Sequence, residues 1–191
     1  MDASDKTLRI IRAEHAALAA MLQTLALMAR HPKPDFAALR AMLFYVDEFP
    51  ERLHHPKETE LLFARMRALA PQARELLDRL DADHHRGERT VRELQHHLLA
   101  YELLGESRRA AFEQAAQRYV EAYLQHMATE EREVLPLASQ VLREDDWREL
   151  ELAFSANRDP LTGHAPEEQY QALFQQILRL VPAPLGLGAV T

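Results

Sequence analysis

The sequence predicts an all-α protein, an up-down-up-down four-helix bundle with a short C-terminal helical extension, and three observations predict it. Apolar residues recur at steps of three and four along four long stretches. Only 5 of the 191 residues are Gly and 47% are hydrophobic, so little interrupts helix and a sizeable core can be buried. The breaks between the stretches are short, which favours antiparallel neighbours.

The four helices read as residues 5–30, 35–67, 72–103 and 107–143. His31-Pro32-Lys33-Pro34-Asp35 stops the first and offers an Asp cap to the second. Pro71 suits the first turn of the third, and Gly105-Glu106-Ser107 supplies a turn and a cap before the fourth. Pro50 and Pro136 fall inside helical patterns, where each removes a backbone hydrogen bond and is expected to bend its helix. The bundle is expected to occupy residues 1–143. Residues 144–191 are expected to form an extension packed on the same domain: a short helix over 146–154, a loop over 157–163, a last helix over 167–180 and a patternless, extended or loose tail from Val181.

Charge and composition exclude several functions. The formal net charge is −7 and basic residues are interspersed with acidic ones, which argues against a nucleic-acid partner. No apolar run of about 18 residues could span a bilayer, and MDASDKTLRI lacks the basic and apolar blocks of a signal peptide, so a soluble, cytoplasmic protein is expected. Cysteine is absent, which removes disulfides, thiolate ligands, iron–sulfur ligation and cysteine nucleophiles together. There is neither a phosphate-binding Gly loop nor a nucleophile elbow. Ten histidines remain, and their placement carries the functional argument.

His54 and Glu58 on the second helix, and His126 and Glu130 on the fourth, share a spacing of four that puts both members of each pair on one face, one turn apart. That face is the apolar one. On the fourth helix Phe112, Ala116, Tyr119, Tyr123, His126 and Glu130 form one stripe; on the second, His54, Glu58 and Leu61 are in register. His15 lies in the stripe Leu8, Ile11, His15, Leu18, Leu22 and Leu25, and His84 in the stripe Leu77, Leu80, His84, Gly87, Val91, Leu94 and Leu98. Gly87 weakens its helix by about 1 kcal/mol relative to Ala, and space beside a metal site is the expected return. The order repeats: His15 precedes His54/Glu58 as His84 precedes His126/Glu130, so a duplicated hairpin about a two-fold axis would bring six side chains to one level. Buried carboxylates among imidazoles need charge compensation, which a metal supplies. The set His15, His54, Glu58, His84, His126 and Glu130 suits two iron ions bridged by the carboxylates and by an oxo or hydroxo group, each with one open position, although zinc or manganese would accept the same donors.

Phe49-Pro50-Glu51-Arg52-Leu53-His54-His55-Pro56-Lys57-Glu58-Thr59-Glu60-Leu61-Leu62-Phe63 and His126-Met127-Ala128-Thr129-Glu130-Glu131-Arg132-Glu133-Val134-Leu135-Pro136 resemble the paired motifs of the hemerythrin-like, HHE cation-binding proteins, and Glu14-His15 and His84-His85-Arg86-Gly87 resemble the family's other two ligand motifs. The resemblance covers about residues 8–142, and the stretch from Asp159 to Gly186 resembles an extension of some bacterial members. It implies a di-iron site in a helical bundle. The oxygen-carrying hemerythrins place a second histidine where Glu88 stands, and a longer His-to-Asp spacing where this chain has His126 and Glu130. The ligand set is closer to that of di-iron proteins associated with iron–sulfur cluster repair, whose cysteine-bearing domain has no counterpart in these residues.

Each histidine doublet, 54/55, 84/85 and 96/97, is expected to send one member inward. His55, His85, His96, His97, His31 and His164 are therefore read as surface residues or supports of ligands, Glu88 as a helix-surface partner of nearby arginines, and Tyr45, Tyr119 and Tyr123 as core residues with satisfied hydroxyls. The expected function is binding or sensing of a small ligand, dioxygen or nitric oxide. The alternatives are a di-iron enzyme acting on peroxide or ferrous iron, an iron donor in cluster repair, and a purely structural metal site.

Overall fold

The computed structural model describes residues 2–181, and every regular element in it is helical. α1 (Ala3–Ala29) begins at Asp2, whose carboxylate accepts from the Asp5 N–H at 2.8 Å. α2 (Phe36–Val46) begins at Asp35, which accepts from the Ala38 N–H at 3.0 Å. The helix then runs on through a π-helical segment, Asp47–His54, a short α3 (His55–Lys57), a second π-helical segment, Glu58–Phe63, and α4 (Ala64–Leu69). Pro71 opens a 3-10 turn before α5 (Arg74–Leu104). α5 stops at Gly105, whose φ of 76° is open to a residue without Cβ. α6 (Arg109–Thr129) continues through π-helical Glu130–Val134 into α7 (Leu135–Val141). Ser107, expected as a cap, lies instead within the 3-10 turn Glu106–Arg108, and no side chain caps α6.

The interior prolines act on helix pitch. Pro50 sits inside the first π-helical segment, Pro136 just after the third, and a third interior proline, Pro56, between the first two. None can donate to the carbonyl four residues back, and a wider turn relieves the missing bond and the ring clash. A wide turn also rotates the succeeding residues about the helix axis. Leu61, expected inside with His54 and Glu58, is only half-buried, whereas Leu62 and Phe63 are fully buried.

Each of the four rods crosses two apolar cores with a polar layer between. Ile11, Phe63, Leu77, Leu80 and Leu135 belong to one core, and Leu18, Leu22, Phe49, Val91, Leu94 and Phe112 to the other. The histidines and glutamates of the sequence stripes fall between these residues on every rod. The segment after the bundle joins both cores: α8 (Glu144–Ser155) packs Trp147, Leu150 and Phe154 into the first beside α1, and α9 (Gln171–Leu180) packs Phe174 and Ile177 into the second beside α2. The expected patternless tail beyond Val181 lies outside the described residues. No described helix is long and apolar enough to cross a membrane.

Candidate metal centre

Between the cores, His15 from α1, His54 and Glu58 from the second rod, His84 from α5, and His126 and Glu130 from the fourth rod meet, none more than 7% exposed. The imidazoles form two pairs. Nε2 of His15 lies 3.2 Å from Nε2 of His54, and Nε2 of His84 lies 2.9 Å from Nε2 of His126. Two nitrogens bound at ~2.1 Å to one ion, at right angles, stand ~3.0 Å apart. Each pair therefore has the spacing of two neighbouring ligands on one metal.

The carboxylates divide their oxygens between the pairs. Glu58 turns Oε1 toward His54 (3.1 Å) and His15 (3.8 Å) and Oε2 toward His84 (3.5 Å). Glu130 turns Oε2 toward His15 (3.5 Å) and Oε1 toward His126 (3.2 Å) and His84 (3.6 Å). Yet Glu58 Oε1 and Oε2 and Glu130 Oε1 are buried without a hydrogen-bond partner, because these contacts are not aligned as hydrogen bonds. Buried carboxylate oxygens left in this way cost several kcal/mol, roughly, unless charge is supplied to them. A bound cation would supply it.

The far side of most rings fixes which nitrogen faces the centre. Glu14 Oε2 accepts from His54 Nδ1 at 2.6 Å, Glu131 Oε1 from His15 Nδ1 at 3.1 Å, and Thr59 Oγ1 from His84 Nδ1 at 2.9 Å, while the Thr59 hydroxyl donates to Asp81 at 2.6 Å. A proton held on Nδ1 leaves the Nε2 lone pair for a metal. His126 Nδ1 has no such partner.

The model of the hemerythrin HHE cation-binding domain matches residues 6–138. The chain belongs to this family. No curated protein and no solved structure gives a match. The family is a cation-binding one, and two overlapping buried clusters of this hemerythrin-like bundle have the compactness to hold a metal ion: His15, His54 and Glu58, and His55, Glu58, His84 and His126.

His55 corrects the expectation that a doublet sends one member inward. His54 is 5% exposed and so is His55. Successive side chains on a helix diverge by roughly 100°, and in a bundle that angle leads from one neighbouring helix to another. His54 faces α1, whereas His55 stacks on His84 of α5 with ring centroids 4.2 Å apart. Its Nδ1 is bonded to Glu51 Oε2 at 3.1 Å, which turns Nε2 toward the His84 and His126 pair. Glu88 is exposed and accepts from Arg92 at 2.7 Å, away from the centre. His85, His96 and His164 are exposed, and His31 and His97 partly so.

Gly87 makes room for a carboxylate rather than for the ions themselves. A Cβ there would lie 2.8 Å from Glu51 Oε1 and 3.2 Å from the Tyr123 hydroxyl. Glu51 accepts from Tyr119 at 3.2 Å and, in a short bond, from Tyr123. Burial, outweighing these tyrosine bonds, pushes its carboxyl from 4.5 up to about 7. Gly87→Ala gains about 1 kcal/mol of helix propensity but must displace a carboxylate held on three sides, an overpacking cost of roughly 1–3 kcal/mol. The expected net result is destabilisation by about 1 kcal/mol in denaturant unfolding. Wild-type or higher stability would mean that Glu51 has slack.

Without metal the layer binds protons in its place. Burial opposes charge on His84, but the nearby Glu130 and Glu58 carboxylates prevail and raise it from 6.5 to about 9. Burial and the neighbouring Glu58 charge oppose ionisation of Glu130, yet His126 and His84 prevail and bring it from 4.5 to about 2. The His84 contribution to stability is complete below pH 6.5 and lost as pH rises through about 9. That of Glu130 is complete above pH 4.5 and lost as pH falls through about 2. The metal-free protein is expected to melt highest between those limits and progressively lower toward pH 9. A melting temperature that climbs over that alkaline range would contradict a protonated His84.

Proposed function

We propose that the chain is a non-haem di-iron protein that binds or senses a small ligand, dioxygen or nitric oxide. The observation that carries this reading is the division of the Glu58 and Glu130 oxygens between two imidazole pairs, an arrangement suited to two ions sharing two carboxylates. His15 and His54 would hold one ion and His84 and His126 the other, with His55 as a further imidazole on the second. The iron assignment rests on the family and on the mixed imidazole and carboxylate donors, which zinc and manganese also accept.

When bound, the ion pair supplies redox change and sites for an exogenous ligand. The chain's own residues do the rest. Glu14, Glu131, Thr59 and Glu51 orient the rings through Nδ1, the two cores flank the layer on either side along the bundle, and Glu51 with Tyr119 and Tyr123 keeps exchangeable protons beside His55. Protein purified without added metal is expected to contain two irons per chain and a near-ultraviolet ferric absorption that bleaches on reduction. Re-exposure of the reduced protein to oxygen distinguishes reversible binding from simple oxidation. Zinc at one ion per chain would overturn the di-iron reading.

A second reading, an enzyme acting on peroxide or ferrous iron or an iron donor, is favoured by one observation. A groove of about 820 Å³ between α5 and α6 reaches His55, His84, His126 and Tyr123 beside Gly87, giving substrates or iron a route from solvent. Steady turnover of peroxide by metal-loaded protein, lost in Glu58→Ala, would select this reading over binding alone.

A further inference from the structure

The family match ends at residue 138, yet the segment beyond it reaches the centre. Asn157 and Asp159, 6% and 5% exposed, flank the exposed Arg158, whose φ of 46° lies in the left-handed region. That conformation costs a non-glycine residue about 1–2 kcal/mol. Here it lets the residues on either side both turn inward. Asn157 donates from Nδ2 to Glu14 Oε2 at 2.9 Å, the same oxygen that accepts from His54 Nδ1. Its own Oδ1 accepts a short bond from Lys57 on α3. Asp159 accepts from the fully buried Tyr45 hydroxyl at 2.6 Å and from the Leu161 N–H at 2.9 Å. Phe154, at the end of α8, sets its ring edge against His54 with centroids 5.5 Å apart. Two links therefore run from this segment to one imidazole of the centre.

The same residues enclose space. A chamber of about 20 Å³ is walled by Glu14, His15, Tyr45, His54, Asn157 and Asp159, completed by His55 and apolar side chains. One water-sized molecule needs roughly 10–15 Å³ on this scale, so the chamber suits a molecule of two or three atoms. It lies on the His15 and His54 side, whereas the α5–α6 groove opens on the His84 and His126 side.

We propose that Asn157 and Asp159, carried by the segment after the four-helix bundle, are positioning residues of the centre: they fix the Glu14–His54 pair and wall a chamber that holds a two- or three-atom ligand against His15 and His54. This inference rests on the proposed di-metal site. Asn157 acts through Glu14, since without the amide that carboxylate loses a donor and its hold on His54 loosens. Asp159 acts through Tyr45, since the bonded phenol and carboxylate form one side of the chamber.

The test uses the full chain loaded with ferrous iron and nitric oxide as the probe, with iron content and nitric oxide dissociation rate as readouts. Asn157→Ala and Asp159→Ala are expected to release nitric oxide about tenfold faster or more, the usual scale for losing a partner of a metal ligand. Asp159→Asn keeps its one oxygen for the Leu161 N–H and turns its amide N–H2 toward the Tyr45 oxygen, which can accept, so the phenol stays linked to the segment and release is expected at close to the wild-type rate. That contrast separates chamber closure from a general loss of folding. A folded Asn157→Ala protein that retains fewer irons than wild type also supports the positioning of His54. Wild-type release rates in both alanine variants, with full iron content, overturn this inference alone. A wild type that takes up no iron overturns the di-metal reading and this inference with it.

Discussion

Replacing Glu58 by glutamine is expected to cost the protein both metal ions, with apparent affinity falling by roughly 100-fold or more, the upper end of what even supporting residues of metal sites contribute. Glu58 is fully buried, belongs to both clusters that could hold a metal ion, and directs one oxygen to each imidazole pair. Glutamine keeps the volume but replaces one oxygen with an amide donor, so one pair faces an N–H where it had a lone pair, and the shared negative charge is gone. The helix should survive, because Glu58 makes no hydrogen bond that the fold depends on. Helical content by circular dichroism should therefore stay at the wild-type level while metal content falls. Full occupancy of both sites in Glu58→Gln would mean that the carboxylate does not bridge. A loss confined to one site would mean that it serves a single ion.

The residues singled out by spacing and those that were missed differ for a physical reason. On α5 every member of the stripe Leu77, Leu80, His84, Gly87, Val91, Leu94 and Leu98 is buried, and Tyr101 extends it, because an uninterrupted α-helix keeps its period and a histidine in the stripe must point inward. The second rod does not keep its period. Its π-helical segments around Pro50 and Pro56 move Leu62 and Phe63 inward in place of Leu61, a shift that apolar spacing alone does not encode. His55 and Glu51 were missed because the inward face of a bundle helix is wider than one stripe: neighbours on two sides bury adjacent residues. The Glu-x-x-x-His spacing of Glu51 and His55, which repeats in reverse the spacing of His54 and Glu58, was the available signal. Asn157 and Asp159 carried no such signal, and Glu14 carried only its place beside His15 in a family motif, which does not say that it binds His54. Glu14 is buried by a segment that lies 143 residues along the chain from it at Asn157, and the inward turn depends on a left-handed Arg158, a residue type with no special preference for that conformation.

Chelation of both ions is expected to lower the melting temperature by roughly 16–32 °C, and by more at pH 9 than at pH 6. Free metal at about 1,000 times its dissociation constant stabilises a folded protein by about 4 kcal/mol per site, and each kcal/mol moves the melt of a domain of this size by about 2–4 °C. The pH dependence arises from the protons that replace the ions. Near pH 6 a metal-free His84 carries a proton, since its value is raised to about 9, and His54 is raised well above its ordinary range by Glu58 and Glu14 against the effect of burial. Those protons partly neutralise Glu58 and Glu130. Near pH 9 His84 is losing its proton, and the two buried carboxylates face each other with less compensation between the apolar cores. A protein whose imidazoles hold metal would have no corresponding step there, because they would already be neutral and bound. The gap between loaded and chelated melting curves should therefore widen with rising pH. Equal gaps at both pH values would show that protons do not compete with metal for this layer, and no gap at either would show that the buried histidines and glutamates are stabilised by one another alone.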